Sequence, residues 1–132
     1  MELPKNETTF QFEEIGETTG HKYEGRFTAL CVLNIAMKHK LELEKTRLLA
    51  DFANPTEGLN GIAITLAELR VRIIDAPEWW KQSGGGLDIL DEDILVKLYS
   101  KLLEKQVEWK DSIKAKAKAM ENPDPNAPTG SK

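Results

Sequence analysis

Nucleophilic catalysis in this chain would have to draw its base from His21 or His39 and its thiol from Cys31, the lone cysteine. A serine, threonine or cysteine nucleophile needs an adjacent base and a third group that orients it. His39 stands between Lys38 and Lys40 in a stretch of helical spacing, which fits a solvated face. His21 follows Gly20 at a turn, and Cys31 falls on the apolar side of an alternating segment, where a cysteine behaves as a small hydrophobe. No triad follows from these placements, and one cysteine with two histidines falls short of a zinc set. Acid–base work or a divalent ion could be sought in Asp88, Asp91, Glu92 and Asp93, since clustered carboxylates raise one another's pKa and bind cations. The spacing lacks the glycine turn and terminal glutamate of an EF-hand loop. Ahead of a helix such acids suit the positive end of its dipole, at about 0.3–1 kcal/mol each, with Asp88 or Asp91 as the cap. Ser83-Gly84-Gly85-Gly86 offers backbone N–H groups to an anion, but a phosphate loop closes on Gly-Lys-Ser or Gly-Lys-Thr, and here Leu87-Asp88 follow. The glycines read as a flexible spacer. The expectation is a chain with no catalytic residues, no metal and no cofactor.

Three other features point to recognition. Trp79 and Trp80 are adjacent, so on a helical turn they diverge by about 100° and one can be core while the other meets a partner. Lys97, Lys101 and Lys105 form a like-charged row, in a segment from 97 to 118 holding seven lysines against Glu104, Glu108 and Asp111. Glu13, Glu14, Glu17 and Glu24 gather near a turn at the other end, an asymmetry that favours head-to-tail self-association or a basic partner. With Tyr99 beside the lysine row, the candidate partner-contact residues are Trp79, Trp80, Tyr99, Lys97, Lys101 and Lys105.

The elements that must position these residues follow from periodicity. Phe10 and Phe12 alternate in a β-favouring stretch, two glycines turn the chain, and Tyr23, Gly25, Phe27, Ala29, Cys31 and Leu33 recur with period two, which predicts a hairpin over 9–33. Gly25 marks a bulge or a close approach. Period 3.6 then takes over behind Asn34 as N-cap, with Met37, Leu41, Leu48 and Phe52 in one arc, giving a helix over about 35–53 that Asn54-Pro55 stops. A second helix over 62–74 stacks Ile62, Leu66, Leu69 and Ile73, with Glu68 and Arg72 paired on its surface. Pro77–Lys81 suits one short turn. The longest helix, about 91–119, carries the stripe Leu95, Leu98, Leu102, Trp109 and Ile113, with Gln106 inside it. Residues 1–8 are expected to be flexible and 121–132 to be a disordered tail. The fold class is α+β, mainly α: a hairpin on a bundle of about three helices in a single domain over 9–120.

The 132 residues carry 18 basic and 22 acidic side chains, a formal net charge of −4, and 40% apolar residues. A chain of this length buries roughly two thirds of its unfolded surface and needs no disulfide to form a core. Its negative balance opposes a general grip on nucleic-acid phosphates. Its start has no basic head and apolar run, and no stretch nears the roughly 20 apolar residues of a membrane span, so secretion and membrane insertion are not expected.

A charged hairpin of the form Thr19-Gly20-His21-Lys22-Tyr23-Glu24-Gly25-Arg26-Phe27, helices of modest length and an Ala76-Pro77-Glu78-Trp79-Trp80 break come first. Leu87, Asp91, Leu95, Leu98-Tyr99 and a charged helix reaching Trp109 follow. In layout, over about residues 9 to 113, this resembles the small tail assembly chaperones of long-tailed bacteriophages. The resemblance implies a mainly helical, non-enzymatic protein of the host bacterial cytoplasm. Such a protein coats the tape measure protein and hands it to the tail tube protein. Members often occur in two lengths through ribosomal frameshifting, and the polar tail is compatible with the end of a short form. The alternative is a phage virion structural component of neck, capsid or tail with a protein-interaction role.

Overall fold

Alternating apolar residues make the first two strands. The computed structural model describes residues 5–50 and 53–121. Within them β1 (Thr8–Ile15) and β2 (Lys22–Ala29) pair antiparallel, from Thr8 opposite Ala29 to Ile15 opposite Lys22. One face of the pair buries Phe10, Phe12, Tyr23, Phe27 and Ala29, as a two-residue period requires of a half-buried sheet. Gly25 sits against Pro77, so of the two sequence readings it is the close approach that holds. The strand expected out to Leu33 ends at Ala29, although the inward alternation runs on to the buried Cys31, because Asn6 takes over the backbone there. Its Nδ2 donates to the Val32 carbonyl at 2.8 Å, and its Oδ1 accepts from the Cys31 and Val32 amides at 3.2 and 2.9 Å. Lys5 is held too, its carbonyl accepting from Trp109 Nε1 at 2.9 Å. Of the segments expected to be flexible, residues 1–4 and 122–132 lie outside the described residues.

Helix α1 (Ile35–Leu48) begins at the expected cap, with Asn34 Oδ1 accepting from the Met37 amide at 2.9 Å. It ends earlier than the proline would dictate, and Phe52 lies outside the described residues. None of its residues is buried; Leu48 alone packs against the core. Helix α2 (Glu57–Arg72) starts five residues before the expected 62. Gly58 and Gly61 suggest a loop, but Thr56 caps the helix by accepting from the Leu59 amide at 3.2 Å. Thr56→Ala is expected to cost about 0.5–2 kcal/mol, read as a lower denaturant midpoint with unchanged slope.

The second helix also ends earlier than expected. Ile73–Asp75 leaves the helical path as β3, which pairs antiparallel with β2 through Thr28–Asp75 and Ala29–Ile73 and completes a sheet of order β1-β2-β3. After it come the five-residue α3 (Glu78–Gln82) behind Pro77 and the long α4 (Glu92–Glu121). The architecture is α+β and mainly α, a hairpin packed on helices, with four helices where about three were expected.

The inner sheet face meets α2, α3 and α4 in one core. Phe27, Leu69, Ile94, Leu98 and Leu102 are among its most enclosed side chains. The Glu68–Arg72 pair, expected on the surface, lies inside, with side chains only 15% and 10% exposed at 2.7 Å. Arg72 Nη1 donates to the Cys31 carbonyl at 2.7 Å and to Gln106 Oε1 at 3.3 Å, which is why a polar residue interrupts the apolar stripe of α4.

Candidate functional site

Two of the four acids in the run expected ahead of the last helix, Asp91 and Asp93, do structural work. Asp91 precedes α4 and is fully buried. Its Oδ1 accepts from the Thr18 and Thr19 amides at 2.7 and 2.8 Å, and its Oδ2 from the Thr19 and Tyr23 hydroxyls, both at 2.6 Å. The carboxylate therefore ties the β1–β2 turn to the start of α4. Gly16 lies so close that an added Cβ would stand 2.2 Å from Asp91 Cγ. Burial pushes the carboxyl up, but the Thr19 and Tyr23 hydroxyls and the Thr19 and Thr18 amides outweigh it and hold it at about 2. The Tyr23 phenol moves up, through burial and its bond to Asp91. Such an acid keeps its charge at neutral pH and has no proton to give, so the geometry suits a clamp and not general acid catalysis. Asp93 extends the clamp, accepting from the Glu17 amide and from Lys97 Nζ.

The glycine loop is set in place as well. Ser83 Oγ donates to the Trp80 carbonyl and accepts from the Gly86 amide, and Arg70 Nη1 donates to the Gly84 and Gly85 carbonyls. The spacer expected to be flexible is thus a hydrogen-bonded turn. Arg70 Nε also binds Glu44 at 2.6 Å, joining α1 to α2. The Glu44 carboxyl is held below its usual range, chiefly by its hydrogen bond from Arg47.

The candidate contact residues do not form one patch. Trp80 is buried, edge-on to Phe27 at 6.1 Å. Trp79 is half-buried against Phe12, Tyr23 and Phe27, and its Nε1 donates to the Glu24 carbonyl at 2.9 Å. Tyr99 is half-buried against the core, its phenol pushed up by burial and by the charge of Glu68. Lys97 pairs with Asp93 at 3.1 Å and lies within 4.0 Å of Glu14 and 3.9 Å of Glu17. Lys101 and Lys105 pair with Glu104 and Glu108 one turn along α4. The lysine row is in good part neutralised by its own helix and hairpin. His21 stacks edge-on against Tyr23 at 4.7 Å. Cys31 is buried beside Arg72, with burial pushing its thiol up, the opposite of an activated nucleophile.

Two apolar sets that the fold leaves open are a groove beside α1 and a row on α4. Leu30, Met37, Leu43, Val71 and Ile74 line a groove where α1 runs past α2 and β3, rimmed by Lys40, Arg47, Arg70 and Glu44. Leu43 and Ile74 are more than half exposed. Sequence reasoning missed this groove because Leu43 falls off the main stripe of α1 and Ile74 looked like the end of a helix. Val96, Leu103 and Val107 form a second exposed set on α4. Among the described residues no group of three or more His, Cys, Asp and Glu side chains could hold a metal ion, and no helix is long and apolar enough to cross a membrane. Compared with family models, curated proteins and solved structures, the chain matches none.

Proposed function

We propose that the chain is a tail assembly chaperone of a long-tailed phage. It acts without making or breaking bonds, by binding apolar helical segments of the tape measure protein in the host bacterial cytoplasm before the tail tube protein assembles around them. The layout resemblance supports this reading, and the observation that carries it is the α1–β3 groove. It is walled by Leu30, Met37, Leu43, Val71 and Ile74, and its rim sets three cations, Lys40, Arg47 and Arg70, against Glu44. A groove of that make-up takes an amphipathic helix whose apolar side chains recur at i, i+3 and i+4 and whose flanks are acidic. Trp80 lies in the core, so the contact surface in this reading moves from the tryptophan pair to the groove.

Co-expression tests it. The chain should raise the soluble yield of the tape measure protein and co-elute with it. A double substitution Leu43→Asp with Ile74→Asp should abolish both effects while leaving the circular dichroism unchanged, since both side chains are exposed. Unchanged yield and no co-elution with the wild-type chain would sink the reading. Mass spectrometry of purified particles decides between a chaperone, which leaves the particle, and a virion component, which stays.

A further inference from the structure

Helix α4 presents two distinct faces. Ile94, Leu95, Leu98 and Leu102 enter the core, while Val96, Leu103 and Val107 are 50%, 39% and 58% exposed. At about 100° per residue these three and Ser100 share an arc of about 60°, nearly opposite the core. Their spacing of four, three and four residues is that of a coiled-coil seam. Asp93, whose side chain is 18% exposed and already accepts from Lys97 and the Glu17 amide, continues the seam at its N-terminal end, and Lys110 continues it at its C-terminal end.

This seam complements itself when a second α4 is laid against it head to tail. Val96 then meets Val107 of the second copy, Ser100 meets Leu103 of the second copy, and Asp93 meets Lys110 of the second copy. Each contact is repeated by the two-fold axis. Val96, Leu103 and Val107 surround the central Ser100, opposite charges close both ends, and on one flank Lys97 faces Glu104 of the second copy. The N-terminal end carries a surplus of negative charge to meet the incoming lysine, since Glu14, Glu17 and Asp93 all surround the single Lys97. A head-to-head arrangement would set Asp93 against Asp93 and Lys110 against Lys110, like charges that oppose pairing. We infer that the chain forms a two-fold homodimer through an antiparallel pairing of α4 along Asp93, Val96, Ser100, Leu103, Val107 and Lys110. The contact is isologous, as closed dimers require. It goes beyond the chaperone reading and is independent of it, since none of these seam residues lines the α1–β3 groove.

Sedimentation of the full chain from micromolar to submillimolar concentration tests this. The expected result is a reversible species of twice the chain mass. Leu103→Glu should weaken it on the order of tenfold or more without changing the circular dichroism, because the side chain stands outside the core. Lys110→Glu should weaken it too, by setting like charges at both ends. Cysteine cross-linking fixes the direction: a mixture of Val96→Cys and Val107→Cys chains should form a disulfide that neither variant forms alone, while the native Cys31 is buried. A monomer at every concentration, a dimer indifferent to Leu103→Glu, or Val96→Cys cross-linking to itself as fast as in the mixture would each overturn the inference.

Discussion

Asp91→Ala is expected to lower the melting temperature by on the order of 10 °C. The alanine leaves the Thr18 and Thr19 amides and the Thr19 and Tyr23 hydroxyls without the acceptor they now share. An unpaired buried donor costs about 1–3 kcal/mol, and Tyr23 is buried. The turn amides are nearer the surface and partly regain water. Tyr23→Phe, which removes one of the four donors, should lose about 1.5–3 kcal/mol, the usual worth of a hydrogen bond to a charged group. The pH dependence has a definite sign. The carboxyl sits at about 2 in the fold against an ordinary 3.8, so the unfolded chain binds its proton first as the pH falls. Its contribution to stability is whole above about pH 4 and is lost between about pH 4 and pH 2. Asp91→Asn removes that part of the acid sensitivity, so thermal melts of the two proteins should converge toward pH 2. Equal melting temperatures for wild type and Asp91→Ala at pH 7 would refute the clamp.

Asp91 also shows where reading the sequence stops. The run Asp88, Asp91, Glu92 and Asp93 is legible as the acidic start of a helix, and the helix does begin at Glu92. Nothing local says that the Asp91 carboxylate turns away to partners 68 to 73 residues earlier in the chain. The hairpin and the inward stripe of α4 were legible because their periods, two and 3.6, are set by burying one face of each element in the shared core. Strand β3 was not, since Ile73 and Ile74 continue the spacing of α2 and become a strand only through the edge that β2 offers. Arg72 and Gln106 read separately as a surface cation and a flaw in an apolar stripe. Together, 34 residues apart in sequence, they are one half-buried polar contact. For the candidate site the same limit applies: residue type marked the tryptophans and lysines, but exposure decides which surface is open, and exposure belongs to the fold.

Trp80→Ala separates the two roles a tryptophan can have here, and it carries the second large effect. Trp80 fills the space between Phe27, Leu66 and the glycine turn, so its truncation leaves a cavity and is expected to cost about 3–5 kcal/mol. A variant of wild-type stability that failed only to hold a client would make Trp80 a contact residue instead. Gly86 provides an internal check. Its φ is +92°, and an added Cβ would stand 2.9 Å from both Leu66 Cδ1 and Trp80 Cη2. Gly86→Ala therefore combines backbone strain with overpacking, the latter worth about 1–3 kcal/mol. In a Trp80→Ala background the indole is gone and that part of the cost falls, while the strain and the Leu66 contact remain. The two substitutions should cost less together than the sum of each alone, with a coupling on the order of 1 kcal/mol in denaturant melts. Strict additivity would mean that the three glycines serve the turn alone, whereas coupling ties Gly86 to the indole ring it lets pass.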